Sequence, residues 1–248
     1  FIITSLSFYF YGSTQRDNFY NADNKSYDYK LRIIGSNITL ERFYNNVNSV
    51  SIINDLIKLS SPNMSEKTIF VWPEGIFTDI SQKKLEEYSS LFDKNFNKNH
   101  LFIIGTNNKA IENGSINYYN SLTIYDNELN IINYYNKINL VPFGEFLPFE
   151  NILKVIGLKP LTNNYQSFSK GKTRDIIEIK HQNSNLKILP LICYEIIYSG
   201  KLFKNSSFDF TINISEDGWF GKSIGPMQHF EHSILRAIES GKYILRSS

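Results

Sequence analysis

The stretch from Ile188 to Ile192 is apolar throughout, and at Cys193 the sequence turns abruptly polar. A short apolar run of this kind is typical of a buried strand in a parallel sheet. Open α/β folds carry their chemistry at the carboxyl ends of such strands. We therefore interpret the run as a parallel strand that presents the only cysteine of the chain at its end.

Two charged residues occupy equally strand-like settings. Glu74 ends an apolar run that begins at Thr68, and Lys137 follows an apolar run that begins at Ile131. Each residue also has an ordinary explanation on its own. A cysteine on an apolar strand is usually a small core residue, a glutamate after Trp-Pro can bind backbone at a loop, and a loop lysine is usually solvated. Together, they place a thiol, a carboxyl group and an amine at the ends of three predicted strands.

Short apolar runs alternate with segments of helical periodicity along the rest of the chain. The apolar runs predict strands at 31–35, 101–106 and 208–215 and a hairpin over 118–135 that turns at Asp126 and Asn127. Apolar residues at helical spacing predict helices over 40–59, 81–96 and 226–241. Strands that alternate with helices and close hairpins predict the α/β class, arranged as a layered sandwich.

The two ends of the chain both look cut. Residues 1–11 are largely apolar and are followed by a polar connector over 12–30. The apolar segment is shorter than the roughly 20 residues that cross a bilayer, and no basic flank precedes it. We interpret it either as the end of a transmembrane helix or as a first buried strand. The expected catalytic domain covers 31–248 and is truncated at its carboxyl end, because the chain stops within a predicted strand.

The composition argues against several classes of function. Lys and Arg number 26 against 24 Asp and Glu, and a net charge of +2 is too small to indicate nucleic-acid binding. A single cysteine excludes an internal disulfide and a cysteine-based metal cluster. Only His229 and His232 are close together among the four histidines, with no third ligand evident. We therefore expect neither a metal site nor a cofactor.

A thiol, a carboxylate and an ammonium group together support acyl transfer through a thioester. A thiol is only a few per cent ionised at neutral pH, so it needs a base, and Glu74 is the candidate. Lys137 would stabilise the thiolate and the oxyanion of a tetrahedral intermediate, helped by backbone N–H groups that follow Cys193. This chemistry requires neither a histidine nor a metal ion.

The segments around these three residues resemble the nitrilase superfamily, whose Glu-Lys-Cys triad occurs in the same chain order. The finer match is to a membrane-anchored branch, the apolipoprotein N-acyltransferases. The similarity covers roughly 31–248, and the long blocks at Lys137 and Trp219 are highly specific. The similar stretches are Val71–Glu74, Tyr135–Pro148, Ser167–Gly171, Ile192–Glu195, Trp219–Pro226, Gln228–Phe230, Arg236–Ala237, Glu239 and Leu245–Ser247.

The resemblance implies an αββα nitrilase-like sandwich and a role for each residue of the triad. Cys193 would be the acyl-accepting nucleophile, Glu74 the general base and Lys137 the charge stabiliser. The resemblance also implies supporting positions around the active site and a wall for the substrate pocket. These are Glu145, Tyr194 and Glu195 for the support, and Trp219, Phe220 and Phe146 for the wall.

The reaction that the resemblance implies is an N-acyl transfer at a membrane. Cys193 would take a fatty acyl chain from a membrane phospholipid and pass it to the N-terminal amine of a diacylglyceryl-cysteine lipoprotein. The partners would be the phospholipid donor, the lipoprotein acceptor and the membrane, with no cofactor. The implied location is the bacterial inner membrane, with the catalytic domain on its periplasmic face.

Alternatives to this interpretation stay open. The apolar segment 146–161 is expected to form an amphipathic flap that touches the membrane and keeps water from the thioester, but it could be an ordinary helix packed on the core. The chain could also be a soluble nitrilase-like amidase that uses the same triad with water as the acceptor. A third possibility is a non-catalytic domain of this fold.

The chain departs from the family's pattern at two places, both outside the triad. The family commonly has a Gln-rich turn and a Lys-Trp pair after its first strand, where residues 37–43 here read Asn-Ile-Thr-Leu-Glu-Arg-Phe. Glu216 stands where the family's turn usually carries Asn. The resemblance therefore supplies no substrate contact for the first of these loops.

Overall fold

The computed structural model describes residues 1–21, 26–44, 48–112, 114–149, 155, 157, 167–200, 202 and 207–248. In this part of the chain, the strands are β1 (Lys30–Ile33), β2 (Thr68–Val71), β3 (His100–Glu112), β4 (Ser115–Tyr125), β5 (Ile131–Asn136), β6 (Ile177–His181), β7 (Ser184–Ile192), β8 (Phe210–Ile214) and β9 (Ile244–Ser247). The α-helices are α1 (Ile2–Tyr20), α2 (Ser49–Ser60), α3 (Ser89–Asp93) and α4 (Gly225–Ser240).

The strands form two mixed sheets. The first sheet has the order β1-β2-β3-β4-β5, in which β1, β2 and β3 are parallel and β3, β4 and β5 are antiparallel. The second sheet has the order β6-β7-β8-β9, in which β7, β8 and β9 are parallel and β6 is antiparallel to β7. The parallel strands β2 and β7 lead directly into Glu74 and Cys193, as the apolar runs predicted.

Side chains of the first sheet contribute to two separate cores, because successive residues of a strand point to opposite faces. Ile69 and Val71 pack between the sheets with residues such as Ile212 of the second sheet. Phe70 and Trp72 point the other way and pack in a cluster that includes buried side chains of α2. The sheet is therefore buried on both faces, and the predicted αββα sandwich is confirmed.

The predicted helix over 40–59 is wrong in its first part. Residues Leu40–Phe43 form a 3₁₀ turn, and α2 begins only after Asn48. The Asn48 side chain accepts a hydrogen bond from the Val50 amide at 2.9 Å, which caps the start of a new helix. A capping residue inside a run of helical periodicity thus divides it.

The predicted helix over 81–96 is also replaced by shorter pieces. A 3₁₀ turn, Lys84–Tyr88, is followed by the single turn of α3. The Gln82 amide donates to the Asn107 carbonyl at 2.7 Å, which ties the beginning of the segment to β3. That tertiary bond prevents the helix from starting where the spacing of apolar residues placed it.

The N-terminal residues form helix α1, so the interpretation of 1–11 as a buried strand is wrong. Helix α1 runs to Tyr20, well into the predicted connector, and none of its residues is buried. Among the described residues, no helix combines the length and the apolarity that crossing a membrane requires. The interpretation as the end of a transmembrane helix stays a prediction.

Candidate active site

Glu74 lies in the turn that follows β2, with its carboxylate buried at the bottom of a cavity. Neighbouring strand β3 passes directly beneath this turn. A Cβ atom at Gly105 of β3 would lie 2.5 Å from the Glu74 Cα atom, so only glycine allows the two backbones to approach this closely. The fold of the first sheet therefore fixes the position of the carboxylate.

Lys137 follows β5, and its ammonium group lies between two carboxylates. Its Nζ atom is 3.3 Å from Oε1 of Glu74 and 3.0 Å from Oε1 of Glu145, and the side chain is 1% exposed. Burial alone lowers the pKa of Lys137, but the Glu145 and Glu74 carboxylates outweigh it and hold that pKa well above its ordinary value. Lys137 is therefore a permanent buried cation.

Asn120 of β4 completes this cluster, and the sequence interpretation missed it. Its Nδ2 group donates to Oε1 of Glu74 and to Oε1 of Glu145, at 2.7 Å each. Oε2 of Glu145 accepts from the Val141 amide at 2.9 Å, which closes the loop 141–145 over the cluster. The available signal was weak, because Asn120 is one of several polar residues in β4, beside Asn117, Ser121 and Thr123.

Cys193 occupies a strained backbone position immediately after β7. Its φ angle is 50°, in the left-handed region that costs a residue with a side chain on the order of 1–3 kcal/mol. Its carbonyl oxygen accepts from Nε2 of His229 at 3.2 Å and from Nδ2 of Asn213 at 3.4 Å. This sharp turn presents the thiol to the cavity, which Cys193 lines.

The Cys193 thiol is protonated in this resting arrangement. Burial is the main reason that its pKa is raised to about 12, and the Glu74 carboxylate adds to the rise while Lys137 opposes it. A thiol of this kind becomes a nucleophile only if a base removes its proton during the reaction. The Glu74 carboxylate, which lies close enough to influence the pKa of Cys193, is the candidate for that base.

Glu195 does not line the cavity but lies fully buried beneath it. Its Oε1 atom accepts from the Tyr135 hydroxyl at 2.7 Å, from Arg174 at 2.6 Å and from the Ile138 and Asn139 amides at 3.0 Å. Its Oε2 atom accepts from the Ile192 amide at 3.0 Å. Glu195 thus joins the end of β5, which carries Lys137, to the end of β7, which carries Cys193.

The cavity has a volume of about 380 Å³ and mostly apolar walls. The predicted site residues Glu74, Lys137, Glu145, Cys193, Tyr194, Trp219 and Phe220 line it, whereas Phe146 does not. Phe146 is half-buried in the loop beside Glu145. Aromatic side chains that form the walls are Phe43, Phe77, Phe143, Phe168, Tyr194, Trp219 and Phe220.

The predicted flap is described only in part. Leu147 is buried, whereas Phe149 and Val155 are 81% and 84% exposed. The remaining apolar residues on which the prediction depended lie outside the described residues, namely Ile152, Leu153, Ile156, Leu158 and Leu161. The flap therefore stays a prediction.

A second polar cluster supports Cys193 from behind. Asp217 accepts from Nη2 of Arg246 at 2.7 Å and from the Ser215 hydroxyl at 2.8 Å, and its Oδ1 atom lies 2.9 Å from Nδ1 of His229. Burial opposes ionisation of Asp217, but the His229 and Arg246 contacts outweigh it and lower its pKa to about 2. His229 thus serves this network, and among the described residues no three His, Cys, Asp or Glu side chains group as metal ligands.

Comparison with known proteins identifies a matching family and individual relatives. The family profile described as carbon-nitrogen hydrolase matches residues 66–248. Apolipoprotein N-acyltransferase of Brucella suis biovar 1 is 30% identical over 225 residues, which cover 88% of this chain and 42% of that protein. The enzyme of the same name from Wigglesworthia glossinidia brevipalpis is 33% identical over 225 residues, covering 88% and 44%. The chain spans less than half the length of these relatives.

Solved structures share the fold at low sequence identity. Saccharomyces cerevisiae Nit3, a member of branch 10 of the nitrilase superfamily, superposes with a TM-score of 0.53 at 15% identity, covering 92% of this chain and 78% of that one. Glutamine-dependent NAD+ synthetase from Acinetobacter baumannii gives 0.53 at 18% identity, covering 90% and 38%. These likenesses establish the nitrilase-like architecture alone.

Proposed function

The chain belongs to the carbon-nitrogen hydrolase family, and on this premise we propose that it is the catalytic part of an N-acyltransferase. The transferred group would be a fatty acyl chain, held temporarily as a thioester on Cys193. One observation carries the proposal, namely a thiol and a buried Glu-Lys-Glu cluster at the base of a cavity with aromatic walls. Such walls suit a long apolar acyl chain better than a small polar amide.

The first step forms the thioester. Glu74 removes the proton of the Cys193 thiol as sulfur attacks the carbonyl carbon of a phospholipid ester. The negative charge that develops on the carbonyl oxygen is stabilised by the Lys137 ammonium group and by backbone N–H groups around Tyr194. When the tetrahedral intermediate collapses, the lysophospholipid oxygen leaves and takes the proton from Glu74.

The second step releases the acyl chain to an amine. The α-amine of a diacylglyceryl-cysteine lipoprotein attacks the thioester carbon, and Glu74 accepts the proton that the amine loses. The amide forms as the carbon–sulfur bond breaks, and the Cys193 sulfur recovers a proton. Water must be excluded throughout, because hydrolysis would release the fatty acid without transfer.

The other predicted residues take supporting roles in this proposal. Glu145 holds Lys137 beside Glu74, and Glu195 keeps the Lys137 and Cys193 segments together. Trp219 and Phe220 form the wall against which the acyl chain lies. The proposed setting is the bacterial inner membrane with the domain on its periplasmic face, where the phospholipid donor and the lipoprotein acceptor meet. Residues 146–161 would cover the site as a flap at the membrane surface, and no cofactor is needed.

A covalent adduct test examines the proposal directly. The protein is incubated in lipid bilayers with phospholipid that carries a radiolabelled acyl chain. We expect the label on the protein, its release by neutral hydroxylamine, and its absence from Cys193→Ala. Because Cys193 is the only cysteine of this chain, the variant removes every thioester that the chain could form.

Two outcomes would favour other functions. A protein that never takes up label but hydrolyses small amides would be an amidase of the same family, with water as the acceptor. A protein that does neither would support a non-catalytic domain. Glu74→Gln separates the role of the base from folding, since it should slow acylation without unfolding the protein. Unchanged acylation in that variant would remove Glu74 from the mechanism.

A further inference from the structure

The two places where the chain departs from the family's pattern contact each other beside Glu74. Arg42, in the first of these segments, forms an ion pair with the carboxylate of Glu216 in the second. The Arg42 side chain is 1% exposed and that of Glu216 is 12% exposed. A buried pair of this kind is costly to form unless its remaining polar atoms also have partners.

The Arg42 guanidinium group has several hydrogen-bond partners. Its Nη1 group donates to the carbonyls of Ile38 and Thr39 at 3.1 and 2.8 Å. Its Nε group donates to the carbonyl of Gly75, the residue after Glu74, at 3.0 Å. Its Nη2 group donates to Oε2 of Glu216. Arg42 therefore joins its own loop to the turn that carries Glu74.

Glu216 reaches Glu74 by a separate route, through its backbone. The Glu216 amide donates to Oε2 of Glu74 at 3.0 Å, while its own Oε1 atom accepts from the Gly218 amide at 2.9 Å. Oε1 of Glu74 already accepts from Asn120 and Lys137. The Glu216 amide is thus the described donor that orients the second oxygen of Glu74.

We propose that Arg42 and Glu216 are a positioning pair that sets the orientation of the Glu74 carboxylate toward the Cys193 thiol. The contacts form a closed ring: Arg42 binds the Glu216 side chain, the Glu216 amide binds Glu74, and Arg42 binds the carbonyl of the next residue, Gly75. This inference rests on the proposed role of Glu74 as the base. Arg42 does not line the cavity, and Glu216, which does, contacts Glu74 through its backbone amide and not through its side chain.

The pair also carries part of the cavity wall. The Arg42 guanidinium carbon lies 4.6 Å from the centre of the Phe43 ring, and Phe43 packs against Trp219 with ring centres 4.9 Å apart.

The charge of Glu216 gives a second reason for its pairing with Arg42. Burial and the nearby Glu74 carboxylate both raise the pKa of Glu216, while Arg42 opposes that rise. Loss of Arg42 would leave an uncompensated carboxylate next to the base.

The test compares Arg42→Met and Glu216→Gln with the double variant and with Arg42→Lys. The saturating rate of thioester formation and the half-saturating donor concentration are measured with a 4-nitrophenyl acyl ester. We expect each of the first two variants to lower the saturating rate by about tenfold or more, because small displacements of a catalytic group are costly. The half-saturating concentration should change much less than the saturating rate, because Phe43 and Trp219, the wall residues next to the pair, are themselves unaltered.

Coupling between the two residues distinguishes a pair from two separate effects. The double variant should lose less rate than the product of the two single losses, because it leaves no unpaired charge. Arg42→Lys, which retains the positive charge but not the several N–H donors of the guanidinium group, should lose less rate than Arg42→Met. Unchanged saturating rates in folded variants, or losses that simply multiply, would overturn the proposal.

Control variants guard against a general effect of breaking ion pairs. Arg236 and Glu239 form a partly buried pair on α4, and neither lines the cavity. Arg236→Gln combined with Glu239→Gln should leave the saturating rate within about twofold. Melting temperatures of all variants identify any that fail to fold, and Glu216→Gln, which keeps the side-chain shape, is the variant least affected in this way.

Alkylation of Cys193 by iodoacetamide separates this inference from the proposed function. If Glu74 removes the thiol proton during the reaction, Glu74→Gln lowers the alkylation rate whatever the natural acyl donor is, even though loss of its negative charge by itself would lower the pKa of Cys193. Arg42→Met and Glu216→Gln should then lower it as well. A decrease with Glu74→Gln alone would contradict the positioning pair, and no decrease with Glu74→Gln would contradict the base on which it rests.

Discussion

The cavity joins two contrasting regions, a polar floor and an apolar rim. The polar floor consists of four side chains that are each at most 8% exposed, namely Glu74, Asn120, Lys137 and Glu145. The apolar rim consists of five half-buried or exposed side chains, namely Val141, Pro142, Phe143, Trp219 and Phe220. Charges are concentrated where water is excluded, and apolar groups where water is present.

This inversion of the usual distribution separates chemistry from substrate binding. A buried charge is tolerated only when it is paired, so each residue of the polar floor supports both the fold and the reaction. An exposed aromatic side chain adds little to folding, and grouped aromatics at a cavity mouth indicate a binding surface. Substitutions in the polar floor should therefore lower stability and rate together. Substitutions in the apolar rim should affect donor binding without lowering stability.

The largest effect is expected for Lys137→Met. The change leaves the carboxylates of Glu74 and Glu145 buried side by side without their cation, and both accept from the same Asn120 amide group. Removal of one partner from a buried charge cluster costs about 3–5 kcal/mol of unfolding free energy. Loss of the oxyanion donor should also slow thioester formation by on the order of a hundredfold or more. Urea unfolding and single-turnover acylation measure the two effects.

Lys172→Met is the matched control for that variant. Lys172 pairs with Glu112 at 3.4 Å, but its side chain is 79% exposed. Exposed ion pairs contribute little to stability, so neither unfolding nor acylation should change measurably. Equal effects of the two lysine variants would mean that the polar floor is no different from the protein surface.

The next prediction concerns the pH dependence of Cys193, which lies between the two regions. Since its pKa is raised to about 12, alkylation by iodoacetamide should keep rising from pH 7 to pH 10 without a plateau. In the unfolded chain the same thiol should level off above its ordinary pKa of about 8.5. The folded state holds the Cys193 proton more tightly than the unfolded chain does. The protonated thiol therefore contributes its full share to the stability of the folded state below about pH 8.5, and this share is lost as the pH rises toward 12. A plateau near pH 8.5 in the folded protein would show that the thiol is not buried.

A smaller effect is expected from Gly171→Ala, which disturbs the polar floor through the backbone. A Cβ atom at residue 171 would lie 2.1 Å from the Asn136 carbonyl oxygen and 3.1 Å from that of Lys137. Forcing an extra methyl group against backbone costs typically about 1–3 kcal/mol, and here it also displaces Lys137. Both the melting temperature and the rate of acylation should therefore fall. Gly12→Ala in α1, where no atom lies within 4 Å, should not destabilise the protein.

The parts of the site that the sequence predicted are those that follow strand ends. Glu74, Lys137 and Cys193 were each expected at the end of a predicted strand, and the structure brings all three to the same cavity. The layered α/β class followed from the same alternation of runs. Local patterns work here because a buried strand must be apolar and must end where the chain becomes polar.

The residues that the sequence did not predict act through long-range contacts. Arg42 sits in a segment of helical spacing, yet its side chain turns inward to bind the Gly75 carbonyl and Glu216. Asn120 resembles any polar residue of a strand until β4 is placed beside Glu74. Phe146 has an aromatic side chain of the kind expected in the wall, but it does not line the cavity. Such roles depend on which segments meet, and hydrophobic periodicity carries no information about that.

The smallest effect on folding is expected in the apolar rim, for Phe143→Asn. Phe143 is 56% exposed, and its φ angle is 62°, a conformation that asparagine adopts more easily than phenylalanine. Stability should therefore be unchanged or raised by up to about 1 kcal/mol. The half-saturating concentration of a long-chain acyl donor should rise by about tenfold, because one buried aromatic contact is lost, whereas a short-chain donor should be unaffected.

Phe149→Asn provides the control, because the two positions differ chiefly in their relation to the cavity. Phe149 has a φ angle of 52° and is 81% exposed, but it does not line the cavity. Its replacement should relieve the backbone in the same way and leave the ratio of long-chain to short-chain donor binding unchanged, because any effect on the proposed flap would act on both donors. If the two variants changed donor binding equally, exposure of aromatic groups rather than their position at the cavity would account for it. A long-chain effect confined to Phe143 would instead assign acyl-chain binding to the apolar rim, because the polar floor is unaltered in both variants.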